Sequence, residues 1–376
     1  MKIKILHILH SLQVGGLENG VVNLVNRLDP GMFDHAVCCI DSSGSMAERL
    51  TRPVEIFTMR KGKERDYLLP FHIARIVKKV HPDLVHTRNW GAIDGVIGAR
   101  LAGVKRIIHG EHGREAADPT GANKRRKMAR KALNPLISRF VTVSAELRGW
   151  LIDDVGISGD KIVQIINGVD TEKFRPGENR GLAKQILGLD PDSFVIGTVG
   201  RLDPVKDFQT LVKAVAGLFA TEGDKTAKAA LVVIGSGPEE QKLKTLADNL
   251  GLAGRVVFLG ERKDVSELMQ GMDLFVLPSI AEGISNTILE AMAVGLPVVA
   301  SRAGGNRELV AEGENGFLFS IGDDRELASI IVDYINKPEM RLEHGSNSRS
   351  RTKTNFSLAR MVREYEALYH SLGSIP

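Results

Sequence analysis

Two glutamates eight positions apart, Glu282 and Glu290, bracket a segment that carries Gly283, Ile284, Ser285 and Asn286. An apolar run at 274–277 stops at Pro278, and Ser285 or Asn286 is placed to cap a helix over 287–294. A helix that starts there turns unpaired N–H groups and the positive end of its dipole toward whatever lies before it, which suits an anion. One carboxylate flanks that point at its mouth, and the other lies about one turn along the helix. A phosphate between two hydroxyl-bearing groups, as in a nucleotide sugar, has the matching shape. Taken alone, the stretch fits an ordinary strand–helix unit with two solvated glutamates equally well.

Cations with the right chemistry occur upstream, in Gly200-Arg201-Leu202-Asp203-Pro204-Val205-Lys206. The turn forced by Pro204 can aim Arg201 and Lys206 into one space, Arg as a bidentate phosphate ligand and Lys as a point charge. Two solvated surface cations are the plain alternative. His112 follows an apolar strand at 107–109, which places it at a sheet's carboxyl edge, although a lone histidine is more often structural. Gly15 and Gly16 form a turn where backbone can approach a ligand closely, without the spacing of a dinucleotide fingerprint. Gly235-Ser236-Gly237-Pro238 lacks the third glycine of that fingerprint, since Glu240 stands there, and reads as a βα turn. The run Lys124-Arg125-Arg126-Lys127-Met128-Ala129-Arg130-Lys131 is helix-compatible and reads either as a contact for an anionic membrane surface or as a solvated face. Nucleic acid is disfavoured, because aromatics are only 5% of the chain and none interleaves this run.

The elements that must hold these groups follow a βα rhythm. Strands are expected at 3–9, 36–40, 84–86, 107–109 and 140–143, with helices at 20–28, 68–80 and 92–101 between them. The rhythm breaks at 165–176, where Asn167-Gly168 and Pro176 signal a linker. A second series has strands at 195–199, 231–234, 256–259, 274–277, 298–300 and 317–319, then helices at 324–336 and 357–369. A length of 376 residues with 43% hydrophobic and 26% charged residues suits two soluble α/β domains. No run reaches the ~18 apolar residues of a membrane span, and the N-terminus reads as a first strand rather than a leader. Cys38 and Cys39 are adjacent and unsuited to a structural disulfide, so a reduced, cytoplasmic chain is expected. Residues 1–173 carry 27 Lys+Arg against 19 Asp+Glu (+8), and the remainder 23 against 27 (−4). The two halves are therefore suited to different partners.

Several of these stretches together resemble family 4 (group 1) retaining glycosyltransferases of the GT-B fold. The matching residues are Gly200-Arg201-Leu202-x-x-x-Lys206, Asn167-Gly168-Val169-Asp170-x-x-x-Phe174, Glu282 and Glu290 at the family's seven-residue interval, and Gly304-Gly305-x-x-Glu308. The resemblance covers nearly the whole chain. It implies two Rossmann-like, doubly wound domains facing across a cleft, 1–172 on the acceptor side and 173–355 for the nucleotide sugar, with a C-terminal helix, 356–376, returning to the first. It also implies that Arg201 and Lys206 hold the donor diphosphate, that Glu290 binds the ribose hydroxyls and that Glu282 contacts the donor sugar. By the same resemblance, backbone amides around Gly283, Ile284, Ser285 and Asn286 take phosphate or sugar oxygens. His112 touches the sugar, and Gly15, Gly16 and Gly200 give close approach. Gly283-Ile284 stands where many members have Phe-Gly, which loosens the assignment of the sugar contacts.

The expected activity is retaining, metal-independent transfer from a nucleotide-diphosphate sugar, UDP or GDP, to a saccharide or lipid-linked acceptor, in exopolysaccharide or lipopolysaccharide synthesis. The sequence has no Asp-x-Asp metal motif, and no cofactor is expected. Cations and helix-end amides lower the barrier where charge develops on the departing diphosphate. The leaving phosphate oxygen is expected to take the acceptor's proton, with Glu282 as a covalent nucleophile the alternative. Competing readings are a sugar-nucleotide epimerase of the same fold, a two-carboxylate hydrolase and a non-catalytic sugar-nucleotide-binding member of a polysaccharide assembly complex. Donor, acceptor and oligomeric state stay open at this point.

Overall fold

The computed structural model describes residues 2–59, 66–114, 118–221 and 228–373. They divide into two compact units, Met1–Gly168 with Leu358–Pro376, and Val169–Ser357; the sequence places the divisions at 172/173 and 355/356. The final residues of the expected C-terminal segment, 374–376, lie outside the described residues.

The first unit is built on a seven-stranded parallel sheet: β1 (Ile3–Leu9), β2 (Phe33–Cys39), β3 (Glu55–Thr58), β4 (Leu84–Arg88), β5 (Ile107–Glu111), β6 (Arg139–Thr142) and β7 (Ile162–Gln164). Their spatial order is β3-β2-β1-β4-β5-β6-β7. An all-parallel sheet needs helices on both faces and strands that are apolar on both sides. On one face, Leu69, Ile73, Val77 and Val80 of the helix Leu69–Val80 form the stripe that packs onto Leu6, Ile8 and Val85. On the other, the helix Leu358–Gly373 returns to this unit and buries Met361, Tyr365, Leu368, Tyr369 and Leu372 against Ile5, Leu84, Ile108 and Val141.

The second unit carries β8 (Phe194–Val199), β9 (Ala229–Ile234), β10 (Val256–Phe258), β11 (Leu274–Leu277), β12 (Val298–Ser301) and β13 (Gly316–Phe319). These are parallel in the order β10-β9-β8-β11-β12-β13. The chain enters and leaves this unit side by side, through a parallel bridge of Val169 and Ser357 and a bond from Val169 N–H to Phe356 O at 2.9 Å. Both units are therefore doubly wound α/β sheets. In each, the strand order reverses at one point, between β1 and β4 and between β8 and β11. Such a reversal leaves a crevice beyond the carboxyl ends of the two strands, where ligands of this architecture bind.

Candidate functional site

The loops that leave β8 and β11 are the ones carrying Arg201, Lys206 and Glu282. After β8, Pro204 opens a short 3-10 turn, Pro204–Lys206, which Asp207 closes with φ 47°. Ile280 N–H donates to Val205 O at 2.8 Å, so the loop after β11 is tied to this turn. That tie brings Lys206 Nζ to 2.5 Å from Glu282 Oε1, which also accepts from Ser279 Oγ at 2.6 Å. The pair is largely shielded, with the Glu282 side chain 9% exposed and that of Lys206 22%. Arg201 is far more open, at 73%, and its Nε donates to Asp203 in the same loop. That hydrogen bond holds the guanidinium above its ordinary pKa. Each cation of the motif is thus held by a carboxylate of the chain itself. Asp203 and Ser279 hold Arg201 and Glu282 in place, a role that sequence pattern alone does not flag.

Beyond Glu282, Ser285 is the N-cap of the helix Asn286–Val294, and its Oγ accepts from Ile288 N–H at 3.3 Å. Gly283, Ile284 and Ser285 are buried, while Asn286 and Glu290 are partly exposed. The glycine pair of the last motif has a steric reason. A Cβ on Gly304 would collide with the carbonyl oxygen of Glu282, and one on Gly305 with that of Gly283. Only hydrogen side chains let the 304–305 backbone lie against this loop and support it. Gly200 N–H donates to Ile234 O at 3.0 Å, anchoring the first loop to β9.

In the first unit, Gly15 is the N-cap of the helix Gly16–Arg27 and follows β1. His112 follows β5, with Nε2 buried and without a hydrogen-bond partner among the described residues. Burial, and then the Arg88 cation, lower its pKa to about 3, so the ring is neutral at pH 7.

Beneath it runs a polar network that the sequence reading missed. Arg88 is 2% exposed and donates to His7 Nδ1 at 3.1 Å and to His86 Nδ1 at 3.2 Å. A guanidinium only donates, so both imidazoles accept at Nδ1 and carry their proton on Nε2. His7 Nε2 then donates to His35 Nδ1 at 3.0 Å. Glu111 supplies the opposite pole. Arg130 donates to its two oxygens at 2.5 and 3.2 Å, and His109 Nε2 to one of them at 3.2 Å. Against the opposing pull of burial, the Arg130 cation and the hydrogen bond from His109 hold the Glu111 carboxyl well below the usual range.

The network corrects part of the basic-run reading. Arg130 is not on an open face: it is 5% exposed, paired with Glu111 and packed over the Trp90 and Trp150 rings. Lys127 pairs with Asp154 at 3.2 Å, which leaves Lys124, Arg125, Met128 and Lys131 of the helix Lys124–Leu133 exposed. No cluster of three or more His, Cys, Asp or Glu with metal-binding geometry occurs among the described residues. No helix among them is long and apolar enough to cross a membrane.

Comparison with known proteins accounts for both units. The family model described as Glycosyltransferase Family 4 matches residues 14–173, and the one described as Glycosyl transferases group 1 matches residues 179–351. The chain is 30% identical, over 98% of its own length and 97% of the relative's, to the UDP-Gal:alpha-D-GlcNAc-diphosphoundecaprenol alpha-1,3-galactosyltransferase of Escherichia coli. It is 33% identical, over 55% of its length and 60% of the relative's, to the lipopolysaccharide core biosynthesis mannosyltransferase LpsB of Rhizobium meliloti (strain 1021). Among solved structures, HepE of Anabaena in complex with UDP-glucose superposes with a TM-score of 0.85 at 25% identity, covering 98% of this chain and 100% of HepE.

Proposed function

The chain belongs to the family 4, group 1 glycosyltransferases of the GT-B fold, and from that premise we propose that it moves a hexose from a UDP-sugar, with retention at the anomeric carbon, to a sugar carried on a lipid diphosphate. The carrying observation is the meeting of Lys206, Glu282 and Ser279 at the switch point of the second unit. UDP-galactose is the first donor to test, because the relative that spans almost the whole chain is named for it. A place in cell-surface polysaccharide synthesis, at the inner face of the cytoplasmic membrane, is part of the proposal, and the names of relatives that act on a diphosphoundecaprenol-linked sugar and in lipopolysaccharide core biosynthesis support the pathway.

In this reading the donor diphosphate takes Arg201 and Lys206 as its counter-charges and the amides around Ser285 and Asn286 as hydrogen-bond donors. Glu290 holds the ribose hydroxyls, and His112 meets the transferring sugar. Lys206 then shares itself between Glu282 and the phosphate. As its hold on Glu282 weakens, that carboxylate, still bonded to Ser279, accepts a hydroxyl of the sugar.

The bond from C1 to the phosphate oxygen breaks, and its electron pair leaves with the diphosphate. The acceptor oxygen attacks C1 from the same face, and its proton passes to the departing phosphate oxygen. One further negative charge develops on a diphosphate that already carries two, and the two cations stabilise it without a divalent ion. A positioned donor of this kind typically contributes about 3–4 kcal/mol to the barrier. The exposed Lys124, Arg125 and Lys131, with Met128 between them, meet the anionic lipid surface from which such an acceptor projects.

The test is transfer from UDP-galactose, UDP-glucose and GDP-mannose to a synthetic GlcNAc-diphospholipid, with the product's anomeric configuration read by NMR. An α-linked disaccharide lipid from a UDP-sugar supports the reading. A β-linked product overturns retention. Conversion of the donor to an epimer with no acceptor consumed favours the epimerase instead.

A further inference from the structure

Asn89 directly follows β4, at the switch point of the first unit, with φ 55° and ψ 176°. That combination belongs almost wholly to glycine, and another residue persists there only where its surroundings hold it. Two bonds do so. Asn89 N–H donates to Gly110 O at 2.7 Å, and Asn89 Oδ1 accepts from His112 N–H at 2.7 Å. One residue thus grips the main chain on both sides of Glu111, where β5 ends and the His112 loop begins.

The His112 ring lies back over the strand, with Nε2 2.6 Å from the point where a Cβ on Gly110 would stand. Nε2 has no hydrogen-bond partner among the described residues, and the main chain that carries the ring is held by Asn89. We propose that Asn89 is a positioning residue for sugar transfer: its strained backbone and side-chain carbonyl fix the chain from Gly110 to His112, and so hold the imidazole in one orientation toward the donor sugar. The proposal rests on the reading of His112 as a sugar contact.

A purely structural asparagine and a positioning one respond differently to glycine. Asn89→Gly accepts the backbone angles without strain but removes the acceptor for His112 N–H. Asn89→Asp keeps an acceptor in place. The experiment measures kcat and KM for UDP-galactose with the GlcNAc-diphospholipid, together with Tm and hydrogen exchange at the His112 amide.

Asn89→Gly is expected to lower kcat about ten- to a hundredfold, the scale set by small misplacements of an active group. Its Tm stays within about 3 °C of the parent, because relief of strain offsets the lost bond, and the His112 amide exchanges at least about tenfold faster. Asn89→Asp recovers most of the lost rate. Gly110→Ala, which pushes on the ring directly, lowers kcat on the same scale. In a His112→Ala background, Asn89→Gly costs less than about threefold, since residues acting through one group are not additive.

Full kcat in Asn89→Gly, or an equal loss in the His112→Ala background, overturns the proposal while the reading of His112 stands. Wild-type turnover in His112→Ala alone overturns that reading and the proposal with it.

Discussion

In the second unit the central strands β8, β9 and β11 are almost wholly apolar, and the charged groups stand in the loops beyond them. In the first unit the strands themselves carry His7, His35, His86, Arg88, His109 and Glu111, all buried. Nine of the ten histidines belong to the first unit, and His344 is the second unit's single one. The two sheets share one topology yet place their polar groups differently. An apolar sheet leaves its loop charges to exchange partners with a ligand. A sheet whose interior is wired by donor-only Arg88 and acceptor-only Glu111 uses its charges to set the orientation of neighbouring side chains, and those charges are costly to disturb.

The largest effect that this contrast predicts is on stability, in the first unit. Glu111→Ala strands Arg130 as a buried cation and should cost about 3–5 kcal/mol, seen as a fall in the denaturation midpoint. A loss below about 1 kcal/mol would mean that the wiring is incidental.

Acidification separates the units next. Burial depresses the pKa of His7 and His86, and takes His35 to about 4, against an ordinary value near 6.5. Below pH 6.5 the unfolded chain therefore binds protons that the folded first unit refuses. Its stability is complete near pH 7 and falls as pH drops toward 4, by about 2 kcal/mol for each fully buried histidine at pH 5. Hydrogen exchange resolved by region at pH 7 and 5 should show the first unit loosening before the second.

In the second unit a backbone contact supports the charged residues of the candidate site. Gly304→Ala forces the 304–305 loop off the backbone carbonyl of Glu282, and the resulting shift of the Glu282 side chain should lower turnover about tenfold or more. The smallest expected effect is that of Ser285→Ala, which removes the cap on Ile288 N–H and costs about 1 kcal/mol in thermal unfolding.

The same contrast explains what was legible in the sequence. All six strands of the second unit stand out as apolar runs, because parallel strands buried on both faces are continuous in hydrophobicity. In the first unit β3 and β7 escape notice. Both are edge strands, four and three residues long, and β3 is only half-buried. The helix Pro338–Asn355 is hidden for another reason: its buried face is His344, Gly345, Ser348 and Thr352, which shows no apolar period. Small residues are needed there, because a Cβ on Gly345 would meet the carbonyl of Gly295 at the end of the site helix.

At the site, Arg201, Lys206, Glu282 and Ser285 are readable from spacing and residue type. The Lys206–Glu282 pair is not, since it depends on the bond from Ile280 to Val205 between two loops far apart in sequence. Nor is Asn89, whose signal is a backbone angle.

The most direct measurement is the turnover of Lys206→Ala with UDP-galactose and the GlcNAc-diphospholipid, taken alongside its thermal unfolding. If Lys206 meets charge that develops on the departing diphosphate, kcat falls about a hundred- to a thousandfold while the chain still unfolds in a cooperative transition. Near-normal turnover in a folded Lys206→Ala protein would contradict the account at its centre.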